Sequence, residues 1–212
     1  MRKAVRILHD EHQTLIGLLR SILAVLAESR GHGTPPDFAL LRAMLFYIAE
    51  FPGKRHHRHE SDLLFPKLRA LSPRTRGLLD RLDEDHRRGD ARIRELEHAL
   101  TAFELLGQAR RDEFEDAARR YIDFHLAHIA LEEREILPLA ENTLGDEDWD
   151  EIEQVMARDP DPLSGFEPGR DYRPLFGSLT FEAVASSALV NARLAAGIDR
   201  ASFSARLRTP LP

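Results

Sequence analysis

Apolar residues recur every three or four positions through most of the first 145 residues, the spacing of amphipathic helices. Ile16, Leu19, Ile22, Leu23 and Leu26 form one such stripe, in a first helix expected over residues 3–29. It stops at Arg30-Gly31-His32-Gly33-Thr34-Pro35-Pro36, a run of helix breakers. A second helix starts near Asp37, a natural N-cap, and carries Leu41, Leu45 and Ile48. It is expected to kink or restart at Phe51-Pro52-Gly53 and then run on to about Leu71. Ser72-Pro73 opens a third helix that ends near Leu106-Gly107. The fourth spans residues 110–142, with Phe114, Ala117, Ala118, Tyr121, His125, His128 and Glu132 along one face. Pro66 and Pro138 fall inside the second and fourth helices, where a lost hydrogen bond predicts a bend or fraying.

Beyond Gly145 the periodicity weakens. A short helix is expected over residues 149–157, then a Pro- and Gly-containing connector to Gly177, then an Ala-rich helix over residues 180–200. Phe181, Val184, Ala188, Ala192 and Ala195 give that last helix a narrow face of small residues, suited to packing on the bundle or on a second subunit in a homodimer. The expected architecture is all-α: an up-down-up-down four-helix bundle over residues 1–145 and a C-terminal helical extension over residues 146–212.

The two halves of the bundle repeat each other. His56-x-x-x-Glu60 is followed by Leu64-Phe65-Pro66, and His128-x-x-x-Glu132, 72 residues later, by Ile136-Leu137-Pro138. The preceding helices match at an offset of 74, Leu8-x-x-x-His12 with Leu82-x-x-x-His86. Ten His and 36 acidic residues in 212 give roughly two His-x-x-x-acid pairs by chance, so the bare spacing is weak. The matched apolar positions and prolines carry the argument. A spacing of four sets an imidazole and a carboxylate on one helix face, able to offer a nitrogen and an oxygen to one metal ion. Two hairpins, each with one His on its first helix and a His/Glu pair on its second, predict a metal-sized site in the bundle core.

Composition narrows the chemistry. With no cysteine, thiolate metal sites, iron–sulfur clusters and cysteine nucleophiles are excluded, leaving nitrogen and oxygen ligands. A formal charge of −6 with mixed signs along the chain argues against nucleic acid as a partner. The most apolar stretch, residues 15–27, is interrupted by Arg20 and too short for a membrane span, and the N-terminus lacks a secretory pattern. A soluble cytoplasmic protein is the expectation.

Asp10-Glu11-His12, His56-His57-x-x-Glu60-x-Asp62-Leu63-Leu64-Phe65-Pro66, Asp85-His86-x-x-Gly89 and His128-x-x-x-Glu132-Glu133-x-x-Ile136-Leu137-Pro138 together resemble the hemerythrin-like, HHE cation-binding family. The likeness covers about residues 3–142. It implies a four-helix bundle holding two non-haem iron ions bridged by carboxylate and oxo groups, with zinc as a substitute. Carried over by position, the ligands it implies are His12, His56, Glu60, His86, His128 and Glu132. Hemerythrin proper places its acid five residues after the fourth-helix His, here Glu133; Glu132 is preferred because it mirrors Glu60. His57 competes with His56 if Pro52 shifts the register. Hemerythrin proper also has two His one turn apart on the third helix, where this chain has Asp90 after His86, so the site either lacks an imidazole or uses Asp90 or water.

His125 and Tyr121 are expected beside the ligands, orienting one or hydrogen-bonding a bound molecule, whereas His9, His32, His59 and His98 are expected at the surface. Leu15, Leu64, Phe124 and Ile129 are expected to wall the cavity. The first functional expectation is a di-iron protein that binds dioxygen or a related small oxidant. The second is turnover of peroxide or nitric oxide, or iron handling in stress repair. The third is a helical interaction module, with structural zinc or no metal. A ferritin-type oxidase is disfavoured, since only Glu95-x-x-His98 has the Glu-x-x-His form.

Overall fold

The computed structural model describes residues 1–158, which are helical with no strand among them. Four rods pack side by side. The first is α1 (Lys3–His32) and the third α4 (Arg76–Leu106). The second comprises α2 (Phe38–Glu50), two π-helical turns at Pro52–His56 and His59–Leu64, and α3 (Phe65–Leu71). The fourth comprises α5 (Arg111–Leu131), a π-helical turn at Glu132–Ile136, and α6 (Leu137–Thr143). α7 (Asp146–Met156) then folds back on the open end of the bundle. The Ala-rich helix expected over residues 180–200 lies outside the described residues.

Local chemistry sets the boundaries. Asp37 accepts a hydrogen bond from the Leu40 N–H and so caps α2. Gly33, at φ 65°, closes α1 in the left-handed conformation that a side chain disfavours, its N–H returning to the last turn. The loop end of the bundle is held by buried Arg111, which donates to Glu115, to Ser29 and to the Leu26 carbonyl.

Neither proline frays its rod. The N–H just before each proline reaches five residues back, Phe65 to the Glu60 carbonyl and Leu137 to the Glu132 carbonyl. A proline has no N–H for the usual bond, and its ring crowds the carbonyl four residues back. Widening the helix by one residue relieves both, so the extra residue falls at each Glu. The same device replaces the expected break at Phe51-Pro52-Gly53: the His56 N–H bonds the Phe51 carbonyl and the rod continues. Each wide turn rotates the residues after it by roughly a quarter turn, about 100°. His59, expected at the surface, is consequently buried.

The core is cut in two. On the loop side of the cut lie Leu19, Ile22, Leu45, Ile48, Leu96, Leu100, Phe114 and Ile122. On the other side lie Leu8, Leu64, Phe65, Leu82, Ile136 and Leu137 with Trp149, Ile152 and Met156 of α7. Between them, at one level in all four rods, sits a single buried polar layer.

Candidate metal centre

That layer contains every residue expected to bind metal. His12 comes from α1, His56 and Glu60 from the second rod, His86 from α4, and His128 and Glu132 from the fourth rod, all buried. Their donor atoms form two groups, His12/His56/Glu60/Glu132 and Glu60/His86/His128/Glu132, each with its atoms within 4.8 Å of one another. The two glutamates belong to both.

The atoms explain how. His12 Nε2 and His56 Nε2 lie 3.0 Å apart, and so do His86 Nε2 and His128 Nε2. That is the gap expected of two nitrogens at adjacent corners around an ion with bonds of about 2.1 Å. Glu60 turns Oε1 to His56, at 3.3 Å, and Oε2 to His86, at 3.3 Å. Glu132 turns Oε2 to His12, at 3.3 Å, and Oε1 to His128, at 3.1 Å. Each carboxylate is thus divided between two imidazole pairs. All four of their oxygens are buried without a hydrogen-bond partner, a costly arrangement unless a cation sits among them. The donor set fits two ions that accept mixed imidazole and carboxylate ligands, iron among them.

Electrostatics agree. Burial opposes ionising Glu60 and Glu132, and they lie close to each other, yet neighbouring imidazoles hold both pKa values below the usual carboxylate range. Burial likewise opposes charge on His12 and His86, but the carboxylates outweigh it and raise each to about 9. His56 is raised in the same way, by Glu60 and Glu11 over its own burial. Without metal, protons on these rings answer the carboxylates.

A second ring of contacts orients these imidazoles, and the sequence pattern reveals only part of it. Glu133 belongs to neither group of donors; it takes the His12 Nδ1 side at 2.7 Å and also meets His9. Glu11 does the same for His56 at 2.8 Å. Ser61, which donates to Asp83, lies 2.9 Å from His86 Nδ1, and Asp85 stands 3.8 Å from His128 Nδ1. Glu11 and Asp85 each precede a His of the polar layer at matched positions of the duplicated helices, which is the signal that could have revealed them. Glu133→Ala is expected to weaken metal binding about 10–100-fold, the usual cost of losing an orienting partner; a metal titration checks it.

His56 and His57 meet different neighbours. Consecutive helical residues point roughly 100° apart. His56 therefore faces His12 of α1, while His57 stacks on His86 of α4, with ring centroids 4.0 Å apart. His125 is buried with both ring nitrogens lacking hydrogen-bond partners, and Tyr121 packs on it at 4.4 Å. Burial and the neighbouring imidazoles hold His125 neutral, its pKa lowered to about 3, and lower that of His57 too. Burial also raises the Tyr121 phenol, keeping it a neutral donor. Asp90, weighed as a substitute ligand, is exposed on α4 and joins neither group, because the position facing the site one turn beyond His86 is taken by Gly89. A side chain at Gly89 would start 3.3 Å from His125 Cε1, so the glycine makes room for that ring. Leu15, Leu64 and Ile129 are buried around the layer as expected, and Phe124 is half-buried beside His125. His32 and His98 are exposed.

A family model, the hemerythrin HHE cation-binding domain, matches residues 3–140. No curated protein and no solved structure matches the chain. No helix among the described residues is long and apolar enough to cross a membrane.

Proposed function

The chain belongs to the hemerythrin HHE cation-binding family, and from that premise we propose that it is a non-haem di-iron protein that binds dioxygen or a related small oxidant, nitric oxide or peroxide, in the bundle core. The supporting observation is the pair of buried, unpartnered glutamates, each dividing its oxygens between two imidazole pairs. His12 and His56 would hold one ion, His86 and His128 the other, and Glu60 and Glu132 both. Iron there supplies Lewis acidity and exchangeable electrons.

The protein's own groups do the rest. The apolar residues on either side of the polar layer exclude bulk water and limit entry to small molecules. Glu133 and Glu11 hold the His12 and His56 rings with Nε2 inward. His125, neutral and without partners, offers a hydrogen-bonding nitrogen beside His128, their ring centroids 6.5 Å apart. The same free imidazole favours a second reading, turnover of peroxide or nitric oxide, in which neutral His125 hydrogen-bonds the reacting molecule through an unpartnered nitrogen.

Anaerobic loading with ferrous iron is expected to give two ions per chain, and admitting oxygen a new visible absorption that is stable and reversed by removing oxygen. Rapid consumption of added peroxide with return of the starting spectrum would select the second reading. Purified protein that retains no iron and takes up none would refute both and leave the interaction module.

A further inference from the structure

Each half of the duplication carries a chain of contacts that runs outward from one imidazole of the polar layer. In one half His12 Nδ1 meets Glu133, and Glu133 meets His9. Glu133 follows Glu132, and His9 lies three residues before His12. The matching places in the other half, at the offsets of 72 and 74 that relate the helices, are Ser61 and Asp83. They make the corresponding contacts: Ser61 Oγ lies 2.9 Å from His86 Nδ1 and donates to Asp83 Oδ1 at 2.6 Å. The carboxylate has moved one place outward, with a hydroxyl standing between it and the ring.

The far end of this second chain is anchored. Arg69 of α3 donates to Asp83 Oδ2 and, through two of its nitrogens, to Asp80 at 3.0 and 3.2 Å. A guanidinium has donors only, so Asp83 presents one acceptor oxygen to Arg69 and the other to Ser61. A serine hydroxyl has a single proton. With that proton committed to Asp83, Ser61 Oγ has only lone pairs to turn to His86. Nδ1 is then the donor. Nε2, which points into the polar layer 3.0 Å from His128 Nε2, is the nitrogen left to bind an ion. A hydroxyl alone could equally donate to Nδ1, which would put the hydrogen on Nε2 and close it to metal. Asp83 removes that choice.

We propose that Asp83 is a positioning residue for His86, acting through Ser61 and anchored by Arg69, which holds the ring with Nε2 open to a metal ion. This rests on the dinuclear reading above, in which His86 is a ligand. It assigns one outer carboxylate to each inner imidazole, Glu133 touching His12 directly and Asp83 reaching His86 through a hydroxyl.

The test is zinc binding, measured by competition with a coloured chelator, for the native chain, Ser61→Ala, Asp83→Asn, the double variant and Asp80→Asn. In Asp83→Asn the amide oxygen stays with Arg69, so the amide nitrogen faces Ser61 and donates where the carboxylate accepted, releasing the hydroxyl proton. The native chain is expected to bind two ions. Ser61→Ala and Asp83→Asn are each expected to weaken one of them about 10–100-fold and to leave the other as it was. Because Asp83 acts through the hydroxyl, the double variant should bind no more weakly than the weaker single variant. Asp80→Asn, which joins the chain only through Arg69, should bind as the native protein does. In proton NMR spectra of the zinc-loaded protein, the His86 Nδ1–H is expected as a slowly exchanging downfield resonance, shifted in Asp83→Asn and lost to exchange in Ser61→Ala. Native affinity and an unshifted resonance in Asp83→Asn, or losses that simply add in the double variant, would overturn the assignment with both ions still bound. Fewer than two ions in the native chain would instead remove the dinuclear reading and this inference with it. Asp83 is half-buried and Asn has its shape, so Asp83→Asn probes the proton arrangement and not the packing.

Discussion

Glu132→Ala is expected to empty both metal positions at once. Its Oε2 faces His12 at 3.3 Å and its Oε1 faces His128 at 3.1 Å and His86 at 3.7 Å, so one truncation takes an oxygen from each set of donors. Metal analysis after gel filtration should fall from two ions per chain to near none, whereas the exposed His32→Ala should retain both. His128→Ala is the graded case, removing a donor from one position only. Removing one partner of a buried charge pair ordinarily costs about 3–5 kcal/mol of stability. Here the imidazoles left behind can shed their protons, so most of the effect should appear in metal content rather than in the melting temperature. If Glu132→Ala still held two ions, the shared carboxylate would be wrong.

The site is legible in the sequence to the extent that it is local. His-x-x-x-Glu is a contact within one helix, and its duplication with a proline at the same distance marks both second helices. From sequence alone the prolines predict bends. Structurally they place a wide turn at each Glu, a consequence of the lost N–H that no count of helical period registers. The contacts that cross between rods are not legible. Glu11 with His56, Glu133 with His12 and Ser61 with His86 depend on the register between helices, which apolar packing on either side of the polar layer sets. His59 is misplaced by sequence pattern for a related reason, since every wide turn shifts the helical wheel for the residues after it. His56 and His57 look like alternatives only while a single helix face is considered, whereas a rod in a bundle has two neighbours.

Metal uptake should release protons, and its affinity should climb steeply with pH. In the metal-free protein the pKa values of His12 and His86 are raised to about 9, the neighbouring carboxylates outweighing the burial that opposes charge. Ligation requires neutral rings, so binding two ions at pH 7 should expel about two protons, one for each ion, and the apparent affinity for each should rise about tenfold per pH unit until the rings titrate. The stability of the metal-free form has the opposite sign. A folded-state pKa raised above the unfolded value of about 6.5 stabilises fully below that value and is lost as pH rises through about 9, on the order of a few kcal/mol per ring. The depressed Glu60 and Glu132 act at the other end, stabilising above their ordinary pKa and failing in acid as pH drops through the lowered values. Between about pH 6.5 and 9 the metal-free melting temperature should therefore fall while the gap to the loaded protein widens. A pH-stat titration with ferrous iron or zinc at pH 7 reads the proton release directly. Uptake of two ions with no protons released would mean that the rings are already neutral, and that something other than protonated imidazole balances the glutamates in the metal-free core.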